Sequence, residues 1–230
     1  MAVVAVVAPL GVVVRLVVSA AAVALLVPQC RKPTWLPGRL AAMGMNLSHR
    51  RLTAWGLSHL EIEKHFTILD IGCGGGQTIK QLTTIASEGR VYGIDYSSAS
   101  VATARRKNAS LIQLGRADIP LGSVSALPFS ADTFDVVTAI ETHYYWPDLL
   151  ADFLEVKRVL NPGGTFAIVA EAYRGRRMDW LYRPAMRLLR ATYLSANGHR
   201  DLLTRAGFVS VEIFEERTTG WLCAVGRKAA

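Results

Sequence analysis

Apolar residues are concentrated at the start of the chain. Residues 1–28 form an almost unbroken run of Val, Ala and Leu in which the only charged side chain is Arg15. A helix of this length would cross the hydrocarbon layer of a membrane, which is roughly 30 Å thick. Arg31, Lys32 and Arg39 follow directly, and the positive-inside rule would place the rest of the chain on the cytoplasmic side. We therefore expect an N-terminal apolar helix that anchors the protein at the cytoplasmic face of a membrane or lies on it.

Two alternatives for this segment stay open. A cleaved signal peptide fits less well, because no Lys or Arg precedes the apolar run and the residues before Cys30 do not resemble a processing site. Translation starting at Met43 or Met45 would instead make the extension an artefact or a disordered tail. The protein would then be cytoplasmic and soluble.

The rest of the chain predicts one α/β domain over residues 46–230, joined to the apolar segment by a linker rich in Pro and Gly over residues 29–45. Apolar positions at helical spacing predict a helical cap over 46–65, and strands and helices then alternate. The predicted strands are 66–71, 91–95, 119–123, 134–140, 165–171, 208–214 and 221–225, and the predicted helices are 77–87, 98–114, 147–160, 178–193 and 198–206. This alternation indicates a doubly wound, mostly parallel seven-stranded sheet with helices on both faces, a Rossmann-like fold.

Length, cysteine content and charge limit the possibilities further. A chain of 230 residues suits one such domain with an appendage. Its three cysteines, Cys30, Cys73 and Cys223, are far apart and form no CxxC pair, so the sequence suggests neither a metal site nor a disulfide framework. The formal net charge of +8 is compatible with nucleic acid, anionic lipid or an acidic substrate as partner, and charge alone does not choose among them.

A glycine-rich segment, DIGCGGG at residues 70–76, lies between the first predicted strand and the helix after it. In a doubly wound sheet this position brings backbone N–H groups and a helix N-terminus close to a ligand. A dinucleotide-binding fingerprint would have glycine at position 77, where this chain has Gln77, and the Gly-Lys-Ser/Thr of a Walker loop is absent. The ligand is therefore expected to be of another kind.

Three further features accompany this segment. Asp95 ends the second predicted strand, where a carboxylate accepts hydrogen bonds from both hydroxyls of an adenosyl ribose. The stretch LPF at 127–129 precedes FDVV at 134–137, and LNPGG occupies 160–164. With these motifs in this order, residues 46–227 resemble the class I S-adenosylmethionine-dependent methyltransferases, specifically the small-molecule group that includes the ubiquinone and sterol enzymes.

The resemblance implies S-adenosyl-L-methionine as the cofactor and assigns it a set of contacts. Asp70 would orient the loop and approach the methionine ammonium, Asp95 would bind the ribose, and Tyr96 would pack on the adenine. Many relatives carry Asp where this chain has Ser123, whose hydroxyl has a shorter reach and no charge. The complete set of expected cofactor-binding residues is Asp70, Gly72, Cys73, Gly74, Gly76, Asp95, Tyr96, Ser123, Val124 and Glu141.

The segment ETHYYWP at 141–147 follows the fourth predicted strand, where relatives place residues that face cofactor and substrate. Glu141 and His143 are the candidate catalytic residues. His143 would act as a general base because its ordinary pKa lies near neutrality, or it is a pocket or surface histidine without a catalytic role. Methyl transfer is an in-line displacement in which alignment supplies much of the acceleration, so a base is not obligatory.

The arginines between residues 174 and 190 would face an acidic substrate, anionic lipid headgroups or only solvent. No Asn-Pro-Pro-Tyr signature follows the fourth strand and no cysteine has a Pro-Cys context, which argues against a nucleic-acid substrate. The sequence thus predicts a methyltransferase that acts on a small or lipophilic acceptor. The alternatives are a non-catalytic module that binds S-adenosylmethionine as a scaffold or sensor, and a nucleic-acid methyltransferase.

Overall fold

The computed structural model describes residues 50–176 and 179–230, and a seven-stranded β-sheet lies at its centre. The strands are β1 Thr67–Ile71, β2 Arg90–Ile94, β3 Ala117–Asp118, β4 Phe134–Ile140, β5 Leu160–Ala170, β6 Val209–Glu216 and β7 Trp221–Arg227. The expected apolar helix (1–28) and the linker (29–45) lie outside the described residues, so both stay predictions.

Helices connect most of these strands. They are α1 over residues 50–57, α2 Gln77–Ile85, α3 Ser98–Lys107, α4 Ala109–Gln113, α5 Leu149–Val159, α6 Asp179–Leu188 and α7 Ala196–Arg205, with a 3₁₀ turn at His143–Tyr145. Side-chain caps define several of their starts: Ser97 caps α3, Asp148 caps α5 and Ser195 caps α7, each accepting a backbone N–H of the first turn. The helices therefore begin where the sequence places a capping Ser or Asp.

The strand order is β3-β2-β1-β4-β5-β7-β6, with the order reversing beside β1 as in a doubly wound sheet. The sheet is mixed, which corrects the expectation of a mostly parallel sheet. The pairs from β3 to β5 are parallel, whereas β7 runs antiparallel to both β5 and β6. The cause is local: a short connection joins β6 to β7 as a hairpin, and a hairpin can only make an antiparallel pair.

Apolar side chains cover both faces of the sheet. Successive residues of β1 belong to different clusters, Ile68 to one and Leu69 with Ile71 to the other, because side chains alternate along a strand. The larger cluster contains Phe134, Phe153 and Phe166. Burial on both faces holds β1 rigid in the middle of the sheet, directly before the glycine-rich segment.

Two predicted elements differ from the structure because side chains compete for backbone groups. The predicted helix 98–114 is divided at Asn108, whose buried amide donates to the carbonyl oxygens of Gly76 and Ala104. The predicted strand 119–123 is displaced: β3 ends at Asp118, the carbonyl oxygen of Ile119 accepts from Arg105, and Leu121 pairs with Asp95 only as an isolated bridge. Both departures come from contacts between distant parts of the chain.

Two further boundaries differ. Of the predicted helical cap at 46–65, residues 50–57 are helical, 58–65 are not, and 46–49 lie outside the described residues. The motif at 160–164 does not precede β5 but lies within it: Leu160 pairs with Phe134 and Thr165 with Val136, so residues 161–164 bulge out of the ladder. Within the described residues, no helix is long and apolar enough to cross a membrane.

Candidate functional site

A cavity of about 370 Å³ opens at the carboxyl ends of β1, β2 and β4. In parallel sheets of this topology, ligands bind at this edge, beside the point where the strand order reverses. Four segments supply most of the wall: the glycine-rich loop 71–75, residues 94–97 at the end of β2, residues 122–124, and residues 140–142 with 145–147 at the end of β4. Arg50 and Thr53 of α1 and the first residues of α2 complete it.

Backbone hydrogen bonds fix the glycine-rich loop to the end of β2. The N–H groups of Gly72 and Cys73 donate to the carbonyl oxygen of Ile94, at 2.8 and 3.0 Å. The N–H of Gly74 donates to Oδ2 of Asp95 at 3.0 Å. The loop and the end of the second strand therefore form one rigid wall of the cavity.

Gly72 and Gly74 are required for different reasons, although both have positive φ. A Cβ on Gly72 would lie 2.1 Å from Oγ1 of Thr142, so a side chain there would push the segment after β4 away. A Cβ on Gly74 would meet nothing closer than 4.0 Å, so a side chain there would project into open space beside the cavity wall. Both positions therefore favour glycine.

Asp95 lies in the cavity wall and its carboxylate already holds the backbone on both sides. Oδ1 accepts from the N–H of Ser97 at 2.8 Å, and Oδ2 accepts from Gly74. Burial raises the pKa of Asp95 above its ordinary value, while the two backbone donors lower it. Each carboxylate oxygen has a second acceptor position, so both can receive a hydroxyl of a ligand.

Asp70 and Gly76 were expected to contact the cofactor, but the structure places neither in the cavity wall. Asp70 is buried beneath the loop and accepts a hydrogen bond from Oγ1 of Thr138 at 2.8 Å. Burial raises the pKa of Asp70 to about 7. Gly76 packs on α3, where Asn108 donates to its carbonyl oxygen at 3.0 Å. Asp70 thus connects β1 to β4, and Gly76 is held by the residue that ends α3.

The other expected cofactor-binding residues do line the cavity: Cys73, Tyr96, Ser123 and Val124. Tyr96 is half-exposed at the cavity edge, and Cys73 is buried in its floor. The hydroxyl of Ser123 accepts from the N–H of Ser125 at 3.3 Å, a contact within its own turn. These residues form the side of the cavity next to Asp95.

Glu141 lines the cavity from the opposite side, with a φ of +58°, which is rare outside glycine. Its Oε1 accepts hydrogen bonds from the hydroxyl of Tyr144, at 2.8 Å, and from the backbone N–H of Glu171. Burial, and then the nearby Glu171 carboxylate, raise the pKa of Glu141 to about 8. At neutral pH this carboxyl is therefore mostly protonated.

His143 does not line the cavity, which corrects its expected position as a general base. It is fully buried, and its Nε2 lies 3.0 Å from Nε2 of His199 on α7. Nδ1 of His199 lies 2.8 Å from the carbonyl oxygen of Ser195, so it carries the hydrogen, and its Nε2 accepts from His143. Burial lowers the pKa of both histidines, that of His199 to about 4.

Sequence reasoning did not single out the cavity residues contributed by α1, Arg50 and Thr53. Thr53 is a buried polar residue on the apolar side of its helix, which is the signal that identifies it. Tyr145 and Trp146 were named only as parts of the segment after β4, and both line the cavity. Among the described residues, no group of three or more His, Cys, Asp or Glu side chains is arranged to hold a metal ion.

Comparison with known proteins shows which family the chain resembles. A family model described as a methyltransferase domain matches residues 69–168, which contain the loop, Asp95 and the segment after β4. The uncharacterised methyltransferase YdaC of Bacillus subtilis is 28% identical to this chain over 136 residues. The match covers 57% of this chain and 71% of YdaC. The matched domain and this relative support a class I S-adenosylmethionine-dependent methyltransferase. S-adenosylmethionine is accordingly the cofactor of this methyltransferase.

Two more proteins place the methyltransferase among its relatives. The demethylmenaquinone methyltransferase of Oceanobacillus iheyensis is 28% identical over 127 residues, covering 54% of this chain and 53% of that enzyme. The match thus spans about half the length of the quinone enzyme. The structure of a methyltransferase from Aquifex aeolicus superposes with a TM-score of 0.66 at 20% identity, covering 81% of this chain and 96% of the other. At this identity the superposition shows a shared fold.

The cavity of the methyltransferase suits its cofactor on three structural grounds. First, the loop has Gly74 at the position where a side chain would enter the open space. Second, Asp95 places carboxylate oxygens in the wall. Third, the N-terminus of α2 faces the same space through Gln77 and Thr78. A helix N-terminus favours a negatively charged group such as a carboxylate. The residues present therefore fit an adenosyl amino acid.

The buried pair formed by His143 and His199 predicts how the stability of the methyltransferase depends on pH. Both histidines are neutral in the folded state and titrate near 6.5 when unfolded, so protonation favours unfolding. Their contribution to stability is complete above about pH 6.5 and declines below it, by about 1.4 kcal/mol per pH unit for each histidine. The double variant His143→Leu/His199→Leu should show a shallower loss between about pH 7.5 and pH 5.5 in denaturant unfolding.

The matched control is His65→Leu, since His65 is largely exposed and lies away from the pair. It should retain the steep loss of the unmodified protein. An unchanged slope in the double variant, with normal unfolding cooperativity, would show that the buried pair does not control the acid sensitivity.

Proposed function

We propose that this methyltransferase transfers a methyl group to a small lipophilic acceptor bound between the segment after β4 and α1. One observation carries the proposal: a single cavity joins the glycine-rich loop and Asp95 on one side to Ile140, Tyr145 and Trp146 on the other. On the second side, Ile140, Tyr145 and Trp146 give the segment after β4 an apolar and aromatic surface, whereas α1 contributes the polar residues Arg50 and Thr53. In this proposal, the cofactor and the acceptor bind side by side in one cavity.

For the cofactor we propose the following contacts. The carboxylate of Asp95 accepts the ribose hydroxyls, Tyr96 packs on the adenine, and Ser123 with Val124 meets the adenine edge. Gly72, Cys73 and Gly74 border the methionine part. When bound, S-adenosylmethionine supplies an electrophilic methyl group on a cationic sulfur, which carboxyl oxygens and aromatic faces stabilise.

The segment after β4 favours an acceptor with little charge. Glu141 is mostly protonated at neutral pH, so it adds a hydrogen-bonding group but little negative charge. Ile140, Tyr145 and Trp146 add apolar surface beside it. A relative named as a demethylmenaquinone methyltransferase is consistent with an acceptor of this class.

Alignment of the reacting atoms is the main contribution that we propose for the protein. The bonds from Tyr144 and Glu171 hold Glu141 in a strained backbone conformation, which persists only where the surroundings fix it. We propose that Glu141 orients the nucleophile by a hydrogen bond. His143 has no part in this proposal, because it lies in the core and not in the cavity wall.

A transfer assay tests the acceptor class directly. The protein is incubated with methyl-labelled S-adenosylmethionine and with fractionated lipid and water-soluble extracts. Label in the organic-extractable fraction is the expected result. Label found solely in polar metabolites contradicts a lipophilic acceptor, label in RNA or DNA supports a nucleic-acid enzyme, and cofactor binding without transfer to any fraction supports the scaffold or sensor.

Two substitutions test the proposed cofactor side. Asp95→Ala removes acceptors that make charge-assisted hydrogen bonds, each worth about 1.5–3 kcal/mol, so affinity for S-adenosylhomocysteine should fall by at least about tenfold. Gly74→Val fills the space beside the wall and strains a backbone of positive φ, so it should also weaken binding strongly. Calorimetric titration measures both. Gly115→Val is the matched control, because Gly115 also has positive φ with no neighbour within 4 Å and lies outside the cavity.

The pKa of Glu141 predicts a pH effect on transfer. As the pH rises through about 8, Glu141 loses its proton and the hydrogen bond that we propose it donates, so kcat should fall. Glu141→Gln keeps a neutral donor of similar shape and should flatten this alkaline fall while retaining activity. Glu141→Ala should reduce kcat at every pH. An identical alkaline fall in Glu141→Gln would show that another group controls the rate.

A further inference from the structure

Helix α6 presents an arc of apolar side chains to solvent. Trp180, Leu181 and Leu188 are 69%, 47% and 60% exposed, which places three of the exposed large hydrophobic residues of the described chain on one ten-residue helix. At about 100° per residue they fall within one arc of about 100°. Single exposed apolar residues are ordinary on a protein surface, but a continuous arc that includes tryptophan is not.

This arc is not a misplaced core face, because α6 has a separate buried side. Met186 is buried and belongs to the large cluster around the sheet, and Tyr182 packs against the same cluster. The start of the helix is also held in place, because Asp179 is hydrogen-bonded to the hydroxyl of Tyr193 outside α6. Within the helix, Asp179 forms an ion pair with Arg183 at 2.7 Å. The exposed arc therefore belongs to a helix in a fixed orientation.

Positive charge lies beside the apolar arc. At the same angular spacing, Arg183 and Arg187 project next to Trp180, and Arg190 follows two residues after the end of the helix. The negative charge of Asp179 is compensated by Arg183, so the edge of the arc is net positive. This surface is complementary to a partner that has an apolar interior and a negatively charged surface.

We propose that α6 docks on an anionic lipid bilayer, lying flat in the interface. Trp180, Leu181 and Leu188 would enter the boundary between headgroups and acyl chains, and Arg187 and Arg190 would contact lipid phosphates. An apolar arc with tryptophan and a basic edge is the pattern of helices that lie in membrane interfaces. The attraction of arginine to an anionic leaflet adds to the burial of the apolar arc.

Docking through α6 would bring the cavity wall close to the lipid. The N–H of Thr192, just after α6, donates to the carbonyl oxygen of Tyr144 at 2.8 Å. Met186 shares a cluster with Tyr144 and Trp146, and Trp146 lines the cavity. The inference concerns binding alone and needs no methyl transfer, so its failure would leave the proposed reaction untouched.

Hydrogen–deuterium exchange of the full chain in the presence of vesicles tests the proposal. The method reports protection separately for each segment, so vesicle binding by residues 1–28 is distinguished from binding by α6. With vesicles of equimolar phosphatidylcholine and phosphatidylglycerol, amides of residues 179–190 should exchange more slowly. Phosphatidylcholine alone should give less protection. Vesicle association without protection of this segment overturns the proposal, and so does equal protection in concentrated protein without lipid, which would indicate a second copy as the occupant.

A charge and apolarity variant provides the second arm. Trp180→Ser/Leu188→Ser/Arg187→Glu should lose the protection and bind these vesicles at least about fivefold more weakly, since one basic residue near an anionic surface contributes about that factor. The matched control, Ile85→Ser/Leu114→Ser/Arg106→Glu, makes the same changes at exposed positions elsewhere. The α6 variant must melt cooperatively, like the control. Equal vesicle binding and equal protection in both variants overturns the proposal.

Discussion

The attachment of the glycine-rich loop to the end of β2 is the constraint on which the site depends. Ile94 and Asp95 accept the N–H groups of Gly72, Cys73 and Gly74, so the loop cannot move independently of the second strand. Asp70 connects β1 to β4, and Asn108 holds Gly76. The same Asp95 carboxylate lines the cavity, so in our proposal one side chain both fixes the loop and binds the cofactor.

The sheet then determines what stands opposite this wall. Because β4 is parallel to β1 and follows it in the strand order, the segment after β4 emerges beside the loop, and Thr142 approaches Gly72 so closely that no side chain fits there. Glu141 is held in a strained conformation at this point, and Tyr145 and Trp146 follow it into the cavity wall. In our proposal, the cofactor and the acceptor meet where these two strand ends are closest.

The sequence predicted the features that local pattern controls. The run at 134–140 and the glycine segment have their signal in adjacent residues, and the structure places both as expected. The positions of Asp70 and His143 were not predictable in this way. Whether a side chain faces a cavity or the layer beneath it depends on partners far along the chain, Thr138 for Asp70 and His199 for His143. The end of β3 at Asp118 is likewise followed by a contact from Arg105 to Ile119, which no strand pattern reveals.

The most direct test of this account is a crystal structure of the full chain with S-adenosylhomocysteine. We predict that both ribose hydroxyls lie within hydrogen-bond distance of the carboxylate of Asp95, that the bond from Gly74 to Asp95 persists, and that Asp70 makes no contact with the ligand. A ligand that binds elsewhere, or that binds in this cavity while the loop separates from Asp95, would contradict the account.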